Sequence, residues 1–142
     1  MIRFTVIGEP VPQPRAKAAR IGGFVRIYTP STANDWKNRV IAAVQPYLPP
    51  EPLNSPLRMS VRFMFPRPAG HFGSGKKSAT LKDSAPPRPS GKPDLDNALK
   101  AVMDALTDAG VWRDDCRVCD LVVSKVYADR PGAEIEIEEV AA

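Results

Sequence analysis

With 142 residues, 43% of them hydrophobic and 25% charged, the chain can build one ordinary hydrophobic core and is too short for two. No segment reaches the length of a membrane span, the opening MIRFTVIGEP lacks the apolar stretch of a secretory signal and reads as a first strand, and two cysteines without a disulfide framework fit a reducing compartment, so a cytoplasmic location is expected. The net charge of +4 hides an asymmetry: Lys and Arg outnumber Asp and Glu seven to two over residues 1–50 and eight to two over 51–93, but are outnumbered twelve to five over 94–142.

IRFTVI, residues 2–7, is β-branched and aromatic and stops at Gly8, which predicts a strand. A proline-punctuated basic loop follows. In ARIGGFVRIYTP the pair Gly22-Gly23 stands between short apolar runs, the mark of a hairpin. From STANDW a helix is expected, capped by Ser31 or Thr32, with Trp36, Val40, Ala43, Val44 and Tyr47 on one face, and ended or kinked by Pro46. LRMSVRFMF, residues 57–65, alternates Leu57, Met59, Val61, Phe63 and Phe65 with Arg58, Ser60, Arg62 and Met64, a strand with one buried and one largely basic face.

Residues 66–93 are poor in apolar side chains and rich in Pro, Gly, Ser and Lys; a loop of this length is functional or disordered. Beyond it, Leu95, Ala98, Leu99, Val102, Ala105, Leu106 and Ala109 recur at helical spacing, and Gly110 is a natural stop. CRVCDLVVSKVYA and AEIEIEEV then read as two strands. On a strand, Cys116 and Cys119 point to opposite faces, and the single histidine, His71, is isolated, so the C-x-x-C spacing reads as two incidental thiols. The order of elements predicts an α+β domain over residues 1–142, a small mixed β-sheet with two main helices packed on it.

KPDLDNALKAVMDALTDAGVWRDD, residues 92–115, gathers six aspartates in a chain that is basic overall. Capping the helix explains one of them; Asp94, Asp96, Asp114 and Asp115 brought close together would repel unless a cation neutralised them. If the strand after Asp115 runs back beside the helix start, one of Asp114 and Asp115 completes a site with Asp94 and Asp96. Carboxylates without His or Cys are hard oxygen ligands, suited to Mg²⁺ or Mn²⁺ and to phosphoryl transfer. Lys100, four residues after Asp96, is either an ion-pair partner or a fixed positive charge beside the scissile phosphate.

The stretch DLDNALKAVMDALTDAGVWRDDCRV, residues 94–118, resembles the RusA-like Holliday junction resolvases, a family often encoded by phages and prophages: D-L-D-N, then K, then D-A-L, then W-x-D-D-x-x-V stand in family order and spacing. The resemblance implies Asp94, Asp96 and Asp115 as catalytic carboxylates and metal ligands, Asp114 as an accessory ligand, and Lys100 as the essential lysine. It also implies Mg²⁺ dependence, a homodimer, and four-way DNA junctions as substrate. Two departures concern DNA contact: the loop 66–93 is longer than in compact members, and GKP precedes Asp94 where an arginine run occurs.

On this reading Arg15, Lys17, Arg20, Lys76, Lys77, Lys82, Arg88 and Lys92 are the expected DNA-binding residues. The loop 66–93 is expected to be mobile without DNA. Phe24, Tyr28 and Phe72 are candidates for unstacking the junction, with a place in the core as the alternative. The dimer surface is expected on the AEIEIEEV strand or the face carrying Trp36, unless the domain's own core fills both. The rival functions are a related nuclease for other branched DNA and a non-catalytic branched-DNA-binding protein whose aspartates only cap and shield a helix.

Overall fold

The computed structural model describes residues 1–141. Along them run β1 (Ile2–Ile7), β2 (Lys17–Ile21), β3 (Phe24–Tyr28), α1 (Asn34–Val44), β4 (Leu57–Phe65), α2 (Leu95–Ala109), β5 (Val118–Tyr127) and β6 (Gly132–Glu139). Four strands form one mixed sheet in the order β1-β6-β4-β5, while β2 and β3 stand apart as a two-stranded ribbon. In the sheet only β4 and β5 are parallel, and a parallel pair needs a long crossover, which residues 66–93 and α2 supply. The expected α+β architecture, a mixed sheet under two helices, is the one observed.

Alternation along β4 decides which face is buried. Leu57, Met59, Val61, Phe63 and Phe65 are interior, together with Ala133, Ile135 and Ile137 of β6 and Phe4 and Val6 of β1. Onto this face pack Trp36, Val40 and Val44 of α1 and Ala98, Ala101, Val102, Ala105 and Leu106 of α2. Burying each of the larger side chains contributes roughly 1.5–3 kcal/mol. Trp36 and the β6 isoleucines are therefore core, and neither face offered in sequence as a dimer surface is free. At Gly132 a Cβ would collide with the Val6 carbonyl, so glycine lets β1 close on β6.

The other face of the sheet meets water, and its charges pair. Arg3 reaches Glu136 at 2.8 Å, and Arg58 reaches Asp120 at 2.8 Å and Glu138 at 3.1 Å. Arg62 stands opposite Glu134 in the ladder. The outer face of β4, basic in isolation, is thus matched by glutamates from its neighbour.

Several local expectations are corrected. Ala33, not Ser31 or Thr32, occupies the N-cap of α1, without a side-chain cap bond; Ser31 acts through its carbonyl, which accepts from Asn34 N at 3.1 Å. Tyr47 leaves the helix in a 3₁₀ turn begun around Pro46 and stacks on Phe4, ring centres 6.2 Å apart. Cys116 lies in a 3₁₀ turn, Asp115–Arg117, because Asp114 turns the chain before β5 begins; both cysteines are exposed and free.

Residues 66–93 are internally bonded. Phe72 bridges Leu81, Gly73 N donates to Thr80 O at 2.9 Å, and Lys82 N donates to His71 O at 2.9 Å. Arg67 pins the base of the loop, its guanidinium 4.4 Å from the centre of the Tyr127 ring and donating to Pro86 O at 2.8 Å. These contacts argue against a freely mobile linker. Among the described residues no helix is long and apolar enough to cross a membrane.

Candidate functional site

Asp94 is the N-cap of α2, with φ −63° and ψ 140°, and its carbonyl accepts the first helical bond from Ala98 N at 3.0 Å. Its carboxylate makes no capping hydrogen bond. The capping explanation, which suited one aspartate, does not apply to the residue best placed for it. With Pro12, Arg15, Lys92, Pro93 and Asn97, Asp94 lines an open cleft of about 610 Å³. Gln13 N donates to Asn97 O at 3.0 Å, tying the basic segment before β2 to the first turn of α2. Arg15 and Lys92 consequently line the cleft with Asp94.

Asp96, Lys100 and Asp104 follow at four-residue intervals, about 6 Å of helix axis per step, as one stripe on α2. Asp115 faces the same stripe. Its carboxyl is raised above the usual value by a hydrogen bond to Asp114, by partial desolvation and by the charges of Asp114 and Asp104, with Lys100 opposing. Asp114 is lowered, first by the Cys116 backbone N–H at 3.0 Å and then by the bond with Asp115. Lys37 of α1 reaches Asp104 at 3.8 Å, and a second cleft, about 350 Å³, is lined by Lys37, Asp104, Asp108, Arg113, Asp114 and Asp115.

The turn delivering Asp114 and Asp115 is fixed from the interior. Gly110 ends α2 at φ 82°, a left-handed conformation that favours glycine. Val111 and Trp112 then insert into the core. Trp112 Nε1 donates to Thr107 Oγ1 at 2.7 Å, and Leu53 N bonds Val111 O at 2.9 Å while Arg113 N bonds Leu53 O at 3.0 Å.

The expected return of the chain to the helix start is made by the far end of β5. Lys125 arrives there, its Nζ donating to Gly91 O at 2.6 Å and Pro93 O at 2.9 Å. Asp94 caps the start of α2, and the charges acting on Asp115, beyond that of Asp114, are those of Asp104 and Lys100. Among the described residues no three Asp, Glu, His or Cys side chains converge closely enough to hold a metal ion. The donor chemistry nevertheless suits a hard divalent cation: Asp94, Asp96, Asp114 and Asp115 are all exposed oxygen ligands, and like charge accumulates around Asp115.

The expected DNA-binding residues are exposed and fall in three places. Arg15 and Lys92 flank Asp94; Lys17 and Arg20 lie on the β2–β3 ribbon; Lys76, Lys77, Lys82 and Arg88 lie in the long loop. On the ribbon the register aligns Lys17 with Tyr28, Ala19 with Arg26 and Ile21 with Phe24, so one face alternates basic and aromatic groups. Phe24, at the turn, is 81% exposed, whereas Phe72 is partly covered in a cleft with Arg67 and Tyr127. Sequence reasoning missed Lys37, which carries no local signal, and Lys125. The latter had one: Val123 and Lys125 share a strand face, so a lysine falls where an apolar residue is expected.

The family profile described as Endodeoxyribonuclease RusA matches residues 8–138. The uncharacterized protein YqaN of Bacillus subtilis (strain 168) is 36% identical over 141 residues, 99% of this chain and 98% of that protein. The crossover junction endodeoxyribonuclease RusA of Escherichia coli (strain K12) is 48% identical over 48 residues, 33% of this chain and 40% of that enzyme. The crossover junction endodeoxyribonuclease of Enterobacteria phage 82 is similar to the same extent.

Proposed function

This chain belongs to the endodeoxyribonuclease RusA family, and on that premise we propose that it is a divalent-metal-dependent endonuclease that resolves four-way DNA junctions by paired nicks, in recombination and repair within the cytoplasm. The observation that carries the reading is the Asp94 carboxylate, exposed at the start of α2, lining one cleft with Arg15 and Lys92, and spared from capping the helix.

Asp94, Asp96 and Asp115, with Asp114 beside them, are the residues that would hold Mg²⁺ or Mn²⁺. Such a cation, when bound, offsets the phosphate charge and eases deprotonation of the attacking water. Hydrolysis bonds the water oxygen to phosphorus and breaks the P–O3′ bond, leaving a 5′-phosphate and a 3′-hydroxyl. Lys100, in the stripe between Asp96 and Asp104, supplies fixed positive charge for the transition state. Arg15 and Lys92 seat the phosphate backbone over Asp94, and Lys76, Lys77, Lys82 and Arg88 extend the contact along a duplex arm.

The β2–β3 ribbon fits the junction itself. Both its faces are exposed, and a two-stranded ribbon is marginal until something covers it. Its cations, Lys17, Arg20 and Arg26, with no acidic residue on the ribbon, favour a polyanion, and Phe24 at its turn suits an unstacked base. Resolution needs symmetric cuts in two strands, whereas one centre cuts one strand per engagement; a two-fold homodimer meets that need.

The one other reading is a protein that binds branched DNA without cutting it, its aspartates capping and shielding a helix. Incubating the protein with labelled four-way junctions, flaps and linear duplex, with and without Mg²⁺, separates the two. Metal-dependent paired nicks in the junction support the proposal; tight binding with no cleavage in Mg²⁺ or Mn²⁺ overturns it.

A further inference from the structure

Lys125 is a charged residue on the apolar side of the sheet. In the parallel ladder it stands beside Phe63, whose side chain is fully buried, so it projects toward the helices. It makes no ion pair; among the described residues its ammonium bonds only two backbone carbonyls, Gly91 O at 2.6 Å and Pro93 O at 2.9 Å. Half-burying an ammonium is costly, and such groups usually reach a carboxylate or water. Here the charge is committed to the three residues that lead into α2.

The second of these carbonyls belongs to the peptide unit joining Pro93 to Asp94. Fixing that plane fixes the backbone on the N-terminal side of Asp94. On its C-terminal side the Asp94 carbonyl is held by Ala98 N at 3.0 Å. Asp94 is therefore anchored through both flanking peptides while its carboxylate is left without a capping bond. A carboxylate that must meet a phosphate or a cation has to be free of internal partners and still held in place. Backbone anchoring satisfies both demands.

We propose that Lys125 is a positioning residue that aims the Asp94 carboxylate by clamping the Gly91 and Pro93 carbonyls, and does not itself touch the substrate. The proposal deepens the nuclease reading and rests on it for its kinetic consequence, but its structural consequence stands alone.

Lys125→Met keeps the stem and removes the donors, while Lys125→Arg keeps donors in a different shape. Two readouts are needed. Amide hydrogen exchange should rise at least tenfold over residues 94–98 in Lys125→Met, with β4 and β6 protected as in wild type, and should be largely restored by Lys125→Arg. In junction cleavage, Lys125→Met should lower kcat ten- to a hundredfold with junction affinity within about twofold, and Lys125→Arg should recover most of it. If Lys125→Met does not fold, Lys125→Gln replaces it under the same criteria.

Unchanged exchange over 94–98 overturns the proposal. So does a rate defect wholly accounted for by weaker junction affinity, which would make Lys125 a DNA contact. Should wild type cut no junction, the nuclease reading fails, and the exchange result alone decides whether Lys125 positions Asp94.

Discussion

Replacing Asp94 separates a helix cap from a catalytic carboxylate. Where an N-cap side chain accepts a bond from the first turn, its change to Ala costs about 0.5–2 kcal/mol. Asp94 makes no such bond, which leaves only its interaction with the helix dipole, about 0.3–1 kcal/mol before solvent and salt screen it at this exposed position. Asp94→Ala should therefore lower unfolding free energy by less than about 0.5 kcal/mol, a shift of no more than about 3 °C in Tm. Asp94→Asn removes the same charge and should cost no more than Asp94→Ala. Loss of one preorganised group at the reacting phosphate costs about 10²–10³-fold in turnover, so both variants should fall by at least that factor. Junction affinity should hold or tighten, because negative charge near phosphate is removed. Urea unfolding followed by circular dichroism, beside single-turnover cleavage of a labelled junction, measures both quantities. A loss of more than about 1 kcal/mol in Asp94→Ala, with Asp94→Asn cutting at the wild-type rate, would return this carboxylate to a structural role.

Lys100→Ala should reduce turnover far more than junction affinity and leave Tm nearly unchanged; an affinity loss equal to the rate loss would make Lys100 a DNA-binding residue only. Changing Lys76, Lys77 and Lys82 together to Gln should weaken binding and flatten the slope of log affinity against log salt by up to about 2.7, or about 0.9 for each phosphate no longer neutralised. An unaltered slope would show that these charges are idle. Trp112→Phe removes the 2.7 Å bond to Thr107 and leaves a small cavity, at a cost of about 1–3 kcal/mol in denaturant unfolding, and should also slow cleavage by loosening the turn that carries Asp114 and Asp115. An excess of Asp94→Asn protein mixed with wild type on a cruciform plasmid should give mainly singly nicked circles, whereas persistent linear product with monomeric sedimentation would refute the dimer.

The regular elements were legible wherever burial imposes a period. Leu57 to Phe65 alternates because one face of β4 is interior and the other wet, and its ends are those expected. α2 announces itself by its apolar stripe and by Gly110. What failed to show was non-local. The N-cap of α1 falls past Ser31 and Thr32, because a turn through Ser31 O precedes the helix. The outer face of β4 looked basic only because its partner, β6, is distant in sequence and brings Glu138 to Arg58. For the site, residue types and spacing on α2 were readable, whereas the parallel course of β5 was not. That course puts Asp115 beside Lys100 and Asp104 and carries Lys125, ten residues on, to the helix start.

Charge in this protein is sorted by face more finely than by stretch of sequence. The acid-rich C-terminal third is not one electrostatic unit. Asp120, Glu136 and Glu138 neutralise Arg3 and Arg58 on the open side of the sheet, and Asp104 is held by Lys37. The ion pairs among the described residues draw on those three cations alone, so Arg15, Lys17, Arg20, Lys76, Lys77, Lys82, Arg88 and Lys92 are all unspent. A polyanion meets paired charge on the sheet face, and unpaired cations on the ribbon, at the Asp94 cleft and on the long loop. On the proposed reading, counterion release then favours approach across the cleft at the start of α2, where Arg15 and Lys92 stand beside Asp94.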